Sequence, residues 1–239
     1  MRATVRFLYN EPAVFYKSAL IIGDVHFGIE SKLRERGIVD NKFSERLEKK
    51  IEALLDRTKA KRLIINGDVK EQIGIFDNVT AEMLKQLNEI VEVIIVRGNH
   101  DGGIEESKLC VVPSDGFSYY GLGLFHGHSW PSEEVMQCAS IISAHQHPQI
   151  ELKDKLGKRH IEPVWLFADA NPEEIKKYYE NFNKKSRLIL MPAFNPLVGS
   201  SLKPDEHLGP VLNNNLFKLS DALVFRFDGS LIGRLGSLE

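Results

Sequence analysis

Five short blocks of the chain hold side chains that can bind a cation or move a proton. In order they are Asp24-Val25-His26, Gly67-Asp68-Val69-Lys70, Gly98-Asn99-His100-Asp101, His126-Gly127-His128 and Ala144-His145-Gln146-His147. Six of the eight histidines fall within them. Carboxylates, imidazoles and an amide oxygen make a hard-to-borderline donor set, which suits Mn, Fe, Ni or Zn and not copper(I) or an iron–sulfur cluster. Two such ions about 3.5–4 Å apart, bridged by a carboxylate, clamp both oxygens of an in-line phosphoryl displacement and acidify a bridging water. The Asp24-x-His26 and His145-x-His147 spacings predict alternate residues of an extended backbone, both leaning into one site.

Each block needs an element to carry it, and each follows an apolar run. Leu20–Ile22, Leu63–Ile65, Val93–Val96, Leu122–Phe125 and Ile141–Ser143 read as buried strands that end in polar loops. Between the first three lie two helical periods. Phe43, Leu47, Ile51, Leu54 and Leu55 line one face of 41–58, and Met83, Leu84, Leu87 and Ile90 point inward from 80–90. That is β-α-β-α-β, the pattern of a parallel sheet, and ligands bind at the carboxyl ends of such strands.

The flanks are more strand-like. Thr4–Leu8 and Ala13–Tyr16 surround an Asn10-Glu11-Pro12 turn, and Leu109–Val112, Phe117–Tyr120, Ile150–Lys153, Pro163–Phe167 and Leu188–Met191 follow the third block. Asp154 to Lys158 is a turn, and Asp228-Gly229 joins a hairpin of 222–227 with 230–235. Asn171 is read as the N-cap of a helix running to Phe182. The stretch Asn195 to Leu216 is a long loop, and its start, Asn195 to Gly199, is either a packed turn or one wall of a cleft. The expected fold is of the α/β (α+β) class, a single domain over 1–239 with two packed mixed sheets flanked by helices.

The chain has 239 residues, 43% of them hydrophobic and 27% charged, with a formal net charge of −2. That excludes attachment to nucleic acid by overall positive charge, though not by a local basic patch. Lys32, Arg34 and Arg36 follow the first block on a cleft rim, and Arg34 is a candidate substrate contact, together with Lys70 and His128. The lysines of 176–185 read as a solvated face, and His160 and His207 as ordinary residues. Cys110 and Cys138 read as reduced core residues. With neither a signal-like start nor a membrane-spanning run, the expected compartment is the cytoplasm.

The five blocks in this order resemble the calcineurin-like metallophosphoesterase superfamily, whose motifs run Asp-x-His, Gly-Asp-x-x, Gly-Asn-His-Asp/Glu, His before Gly, and Gly-His-x-His. The match spans Gly23 to Pro148. The resemblance implies a four-layer-like fold and two divalent ions, manganese first among them. It implies that Asp24, His26 and His147 ligate one metal, Asn99, His126 and His145 the other, and that Asp68 bridges them. It further implies attack by a metal-bridging hydroxide, with no covalent enzyme intermediate. His100 resembles the non-ligand histidine that protonates the leaving oxygen, and Asp101 the residue that orients its ring. Two residues depart from the pattern. Ala144 stands for the usual Gly, and Glu71, outside the ligand set, stands where many members have Asp or His.

A narrower resemblance covers Asp24 to Glu30, Gly67 to Lys70 and Met191 to Gly199. These segments are similar to the ICC-like phosphoesterase branch, related to ligase-associated DNA-damage-response endonucleases. The function so implied is hydrolysis of phosphodiesters, with DNA as a candidate partner. A phosphomonoesterase of small metabolites, or a non-catalytic scaffold of the same fold, remain as alternatives.

Overall fold

A computed structural model of the chain describes residues 4–153, 157–201 and 209–238. The first sheet begins with β1 (Arg6–Phe7) and β2 (Val14–Tyr16), then β3 (Ala19–Ile22), β4 (Arg62–Asn66), β5 (Glu92–Val96) and β6 (Cys110–Val112), in that spatial order. β3 to β6 are parallel, and β1 and β2 extend the sheet antiparallel. Its helices are α1 (Glu30–Glu35), α2 (Phe43–Thr58) and α3 (Asn78–Ile90).

The second sheet is built from β7 (Phe117–Tyr119), β8 (Leu122–Phe125), β9 (Ser140–Ser143), β12 (Trp165–Asp169), β13 (Arg187–Leu190), β15 (Leu223–Phe225) and β16 (Leu231–Arg234), in the order β16-β15-β12-β13-β9-β8-β7. β8, β9 and β13 are mutually parallel. Three single-turn helices accompany it, α4 (Glu133–Met136), α5 (Pro172–Ile175) and α6 (Pro210–Asn213). A small third sheet joins β10 (Pro148–Lys153) to β11 (Arg159–Pro163) and β14 (Ser200–Ser201).

The alternation of side chains along a strand explains the layers. Leu20 and Ile22 of β3 pack with Leu63, Ile65 and Ile95 against Leu47, Ile51, Leu54, Met83, Leu84 and Leu87 of α2 and α3. The intervening Ile21 faces the other way, with Ile64 and Val96, onto Leu124, Ile142, Trp165 and Ile189 of the second sheet. That sheet's outer face, with Ile141, Leu166, Leu188 and Val224, is covered by Val135, Ile175, Val211 and Phe217. The fold is therefore α/β, with two mixed sheets face to face and helices outside both.

Several local expectations are corrected. Ile90 is 56% exposed, because it ends α3 and the next residue, Val91, turns in instead. The helix expected to reach Phe182 stops at Ile175, and the Asn171 side chain does not cap it. Tertiary packing overrides the local signal there: the Tyr179 hydroxyl donates to the Pro131 carbonyl and Tyr178 stacks on Trp130. The strand expected at Pro163–Phe167 is divided between β11 and β12, and the long loop carries β14 and α6. Cys110 lies exposed on the edge strand β6, whereas Cys138 is buried. His207 and most of the turn at Asp154 to Lys158 lie outside the described residues. Among the described residues no helix is long and apolar enough to cross a membrane.

Candidate metal centre

The five blocks converge where the carboxyl ends of the parallel strands of both sheets meet. Asp24 and His26 follow β3, Asp68 follows β4, Asn99 and His100 follow β5, His126 follows β8, and His145 and His147 follow β9. Two glycines allow the close approach. A Cβ on Gly67, at φ +86°, would meet Nδ1 of His126 at 2.1 Å, and one on Gly98 would meet Oδ1 of Asp68 at 2.2 Å.

The backbone here is not extended as the alternate spacing suggested. Asp24, His26, Asp68, His145 and His147 have φ of +55°, +49°, +50°, +68° and +44°, the left-handed region. The reversal turns each side chain back over the strand ends, while Val25 and Gln146 between them are buried. Ala144 is not among the left-handed residues, so its methyl brings no backbone strain at this position.

Donor atoms of Asp24, His26, Asp68 and His147 lie within 4.8 Å of one another, and those of Asp68, His126 and His145 form a second such group. Asp68 belongs to both. Its Oδ2 is 3.7 Å from His26 Nε2 and its Oδ1 is 3.4 Å from His126 Nε2. Asn99 Oδ1 lies 3.2 Å from the same His126 Nε2, and His147 Nε2 lies 3.1 Å from Asp24 Oδ1. Tautomers are set from outside the group. His126 Nδ1 donates to the Asn66 carbonyl at 2.9 Å, since a carbonyl only accepts, which leaves Nε2 facing Asp68 and Asn99.

The electrostatics favour a cation. Burial raises the Asp24 and Asp68 carboxyls, but neighbouring imidazoles outweigh it and both stay below the ordinary carboxylate range. Burial opposes charge on His126 too, yet Asp68 and Asp24 hold its pKa up at about 9. His145, buried beside His126, is pushed down to about 4 and is neutral. Both ring nitrogens of His26 and Nε2 of His147 are buried beside carboxylates yet make no well-directed hydrogen bond. Ionised carboxylates, a neutral imidazole and orphaned ring nitrogens are what divalent cations require, so the donor set fits two of them.

Other candidates fall elsewhere. His100 Nδ1 lies 2.8 Å from the Glu71 carbonyl, not against Asp101. The Asp101 carboxylate instead accepts from Val69 N at 2.9 Å and Gly98 N at 2.8 Å, bracing two of the loops. Lys70 is fully buried and donates to the carbonyls of Gln72 and His100, so it is no substrate contact. Arg34 is exposed but does not line the cleft; Lys32, Leu33 and Arg36, on the neighbouring face of α1 and its end, do. His128 packs its ring 5.3 Å from His126 and 5.9 Å from His145, with Nδ1 buried and unpartnered.

Two contributors escaped the sequence. Glu71, outside the ligand set, puts Oε2 2.9 Å from His26 Nδ1 and Oε1 2.7 Å from Lys32 Nζ. His26 and Lys32 together hold it down at about 2, against the effect of burial. Asn195 is buried; its backbone N–H donates to the Asp24 carbonyl at 3.2 Å and its Nδ2 to the Val25 carbonyl at 3.0 Å. It therefore clamps the first block, and the segment Asn195 to Gly199 serves as packed turn and cleft wall together. The cleft beside the centre, about 530 Å³, is lined by His26, His100 and His147 on one side and Lys32, Leu33, Arg36, Leu197 and Val198 on the other.

Compared with families of known proteins, residues 18–219 match the calcineurin-like phosphoesterase description. None of the curated proteins matches the sequence. Among solved structures, the nuclease MPE of Pseudomonas putida aligns over 95% of this chain and 98% of its own, at 17% identity and a TM-score of 0.59. The phosphoesterase Yfce from E. coli aligns over 90% of this chain and 97% of its own, at 14% identity and a TM-score of 0.42.

Proposed function

The chain belongs to the calcineurin-like phosphoesterase family and is a metal-dependent phosphoester hydrolase, and we propose that it cleaves phosphodiesters, DNA among them, at the centre described above. Asp24, His26, Asp68 and His147 would hold one divalent cation, and Asp68, Asn99, His126 and His145 a second, manganese being the first candidate. Two cations held there would supply Lewis-acid charge to a phosphoryl oxygen and would acidify a water.

The chain's own residues do the rest. His100 donates through Nδ1 to the Glu71 carbonyl, so the proton it can release sits on Nε2, where the ring borders the cleft. It is the general acid for the leaving oxygen. Lys32 and Arg36 at the cleft wall attract the anionic arm of the substrate, and His128 lies beside the His126 and His145 pair as a further polar contact. Two thiols left free accord with the cytoplasm as the working compartment.

The observation that carries the diester reading is the cleft. Its volume of about 530 Å³ and its part-apolar wall have room for a second ester arm, where a dianionic monoester asks for a small cationic pocket. The name of the Pseudomonas putida nuclease points the same way. The test compares bis-p-nitrophenyl phosphate with p-nitrophenyl phosphate under Mn²⁺, followed by single-stranded and duplex DNA. A diester rate well above the monoester rate is expected. The opposite ratio would transfer the chain to monoester chemistry, and no hydrolysis of either would sink the catalytic assignment of this centre.

A further inference from the structure

We propose that Glu71 is a positioning residue of the centre, aligning His26 through its side chain and His100 through its main chain. This rests on the metal-dependent reading above. Glu71 is 8% exposed and reaches three partners at once. Its Oε2 lies 2.9 Å from His26 Nδ1, its Oε1 2.7 Å from Lys32 Nζ, and its carbonyl oxygen 2.8 Å from His100 Nδ1. The backbone that carries it is itself tied down. Glu71 N donates to the Phe27 carbonyl at 2.9 Å, while Phe27 N donates to Val69 and His26 N to Asp68. The ligand His26 and its carboxylate neighbour thus ride on two strands of chain paired to each other.

The Glu71 carboxylate stands at ion-pair distance from His26 Nδ1 without a well-directed hydrogen bond, and an anion on that side favours the proton on Nδ1 and leaves the Nε2 lone pair free. In His26 that Nε2 faces Asp68 and belongs to the four-residue donor group. Carboxylates placed behind ligating histidines in this way fix the ring and raise its donor strength. Lys32 balances the charge and anchors α1, which carries part of the cleft wall. The consequence is an asymmetric centre. One donor group is supported by a carboxylate, whereas His126 of the other leans on a neutral carbonyl. A competing arrangement exists, because donor atoms of His26, Glu71 and His100 also lie within 4.8 Å of one another and are able to hold an ion themselves.

The test uses the full chain, stripped of metal and titrated calorimetrically with Mn²⁺ in the absence of any substrate. The wild type should take two ions. Glu71→Gln should weaken one of them by about 10–100-fold and leave the other unchanged. Glu71→Asp should recover part of the loss. Long-range proton–nitrogen spectra of the histidines should show His26 and His100 both protonated at Nδ1, with Glu71→Gln moving His26 and not His100. A structural role alone would shift both rings or neither.

Unchanged affinities in Glu71→Gln, equal loss at both sites, or a third ion in the wild type would overturn the proposal. Should Glu71→Gln fail to fold, the wild-type spectrum still decides, since a His26 protonated at Nε2 is incompatible with it. Two ions bound with this asymmetry but no phosphoester hydrolysed would remove the functional reading and leave the role of Glu71 standing. No ion bound at all would remove both.

Discussion

His100 Nδ1 sits 2.8 Å from the main-chain oxygen of Glu71, and this contact decides which ring nitrogen meets the leaving group. With Nδ1 committed, Nε2 is the only nitrogen left to deliver a proton. His100→Ala should therefore keep both cations yet lose about 10²–10⁴-fold in turnover of diesters with alkyl leaving groups. Bis-p-nitrophenyl phosphate, whose leaving group needs its proton less, should suffer less. Equal losses on both substrates, with metal content intact, would rule out proton donation.

Lys70 is a second determinant of that loop. Its buried ammonium donates to the carbonyls of Gln72 and His100. Lys70→Met keeps the stem and leaves both carbonyls unsatisfied. Stability in urea should fall by about 1–3 kcal/mol, the cost of stranding buried polar groups. Metal stoichiometry should be kept. An unchanged unfolding midpoint would show that the loop satisfies those carbonyls without it.

The cations of α1 should separate by helical face. Arg36 lines the cleft and, among the described residues, makes no ion pair, whereas Arg34 lies off it. Arg36→Glu should raise KM for an oligonucleotide several-fold, by roughly the 1 kcal/mol scale of a surface charge contact, with a larger effect at low salt. Arg34→Glu should do little. Equal effects would mean a diffuse field and no defined contact.

Glu48 predicts a pH dependence remote from the centre. It sits almost buried in α2, with Oε1 lacking a partner. Burial, then Glu52, Glu82 and Glu45, push its carboxyl up from 4.5 to about 7. Between those values the folded chain holds a proton that the unfolded chain has released, so stability falls as pH rises through that window. Discounted for solvent reaching the side chain, the loss is about 1–2 kcal/mol. Glu48→Gln should be more stable than wild type by that amount at pH 8 and nearly equal at pH 4, as read from urea unfolding. A constant difference across pH would contradict the titration.

The legible parts of the chain were those written locally. Each donor block sits directly after an apolar strand, so Asp24, Asp68 and His126 announce themselves within a few residues. The two-sheet sandwich followed from the same runs. What supports the blocks is not local. Asn195 clamps Val25 from 170 residues away, and Glu71 meets Lys32 across 39. No spacing rule links such pairs. The left-handed backbone was hard to read, since Asp and His, though enriched in that region, mark it far less sharply than Gly. The truncated α5 shows the converse, a good local helix start overruled by where Tyr179 and Trp130 pack.

Five of the residues that give this chain its chemistry, Asp24, His26, Asp68, His145 and His147, stand in a conformation that L-residues avoid. Each forgoes about 1–2 kcal/mol relative to a residue at ease there. Natural variation therefore meets a bias at these positions: replacement by glycine relieves strain at the moment it abolishes a donor. A lineage released from selection for hydrolysis would gain thermal robustness by letting the centre decay, and a laboratory search for heat-stable variants without an activity screen would be drawn to the same mutations.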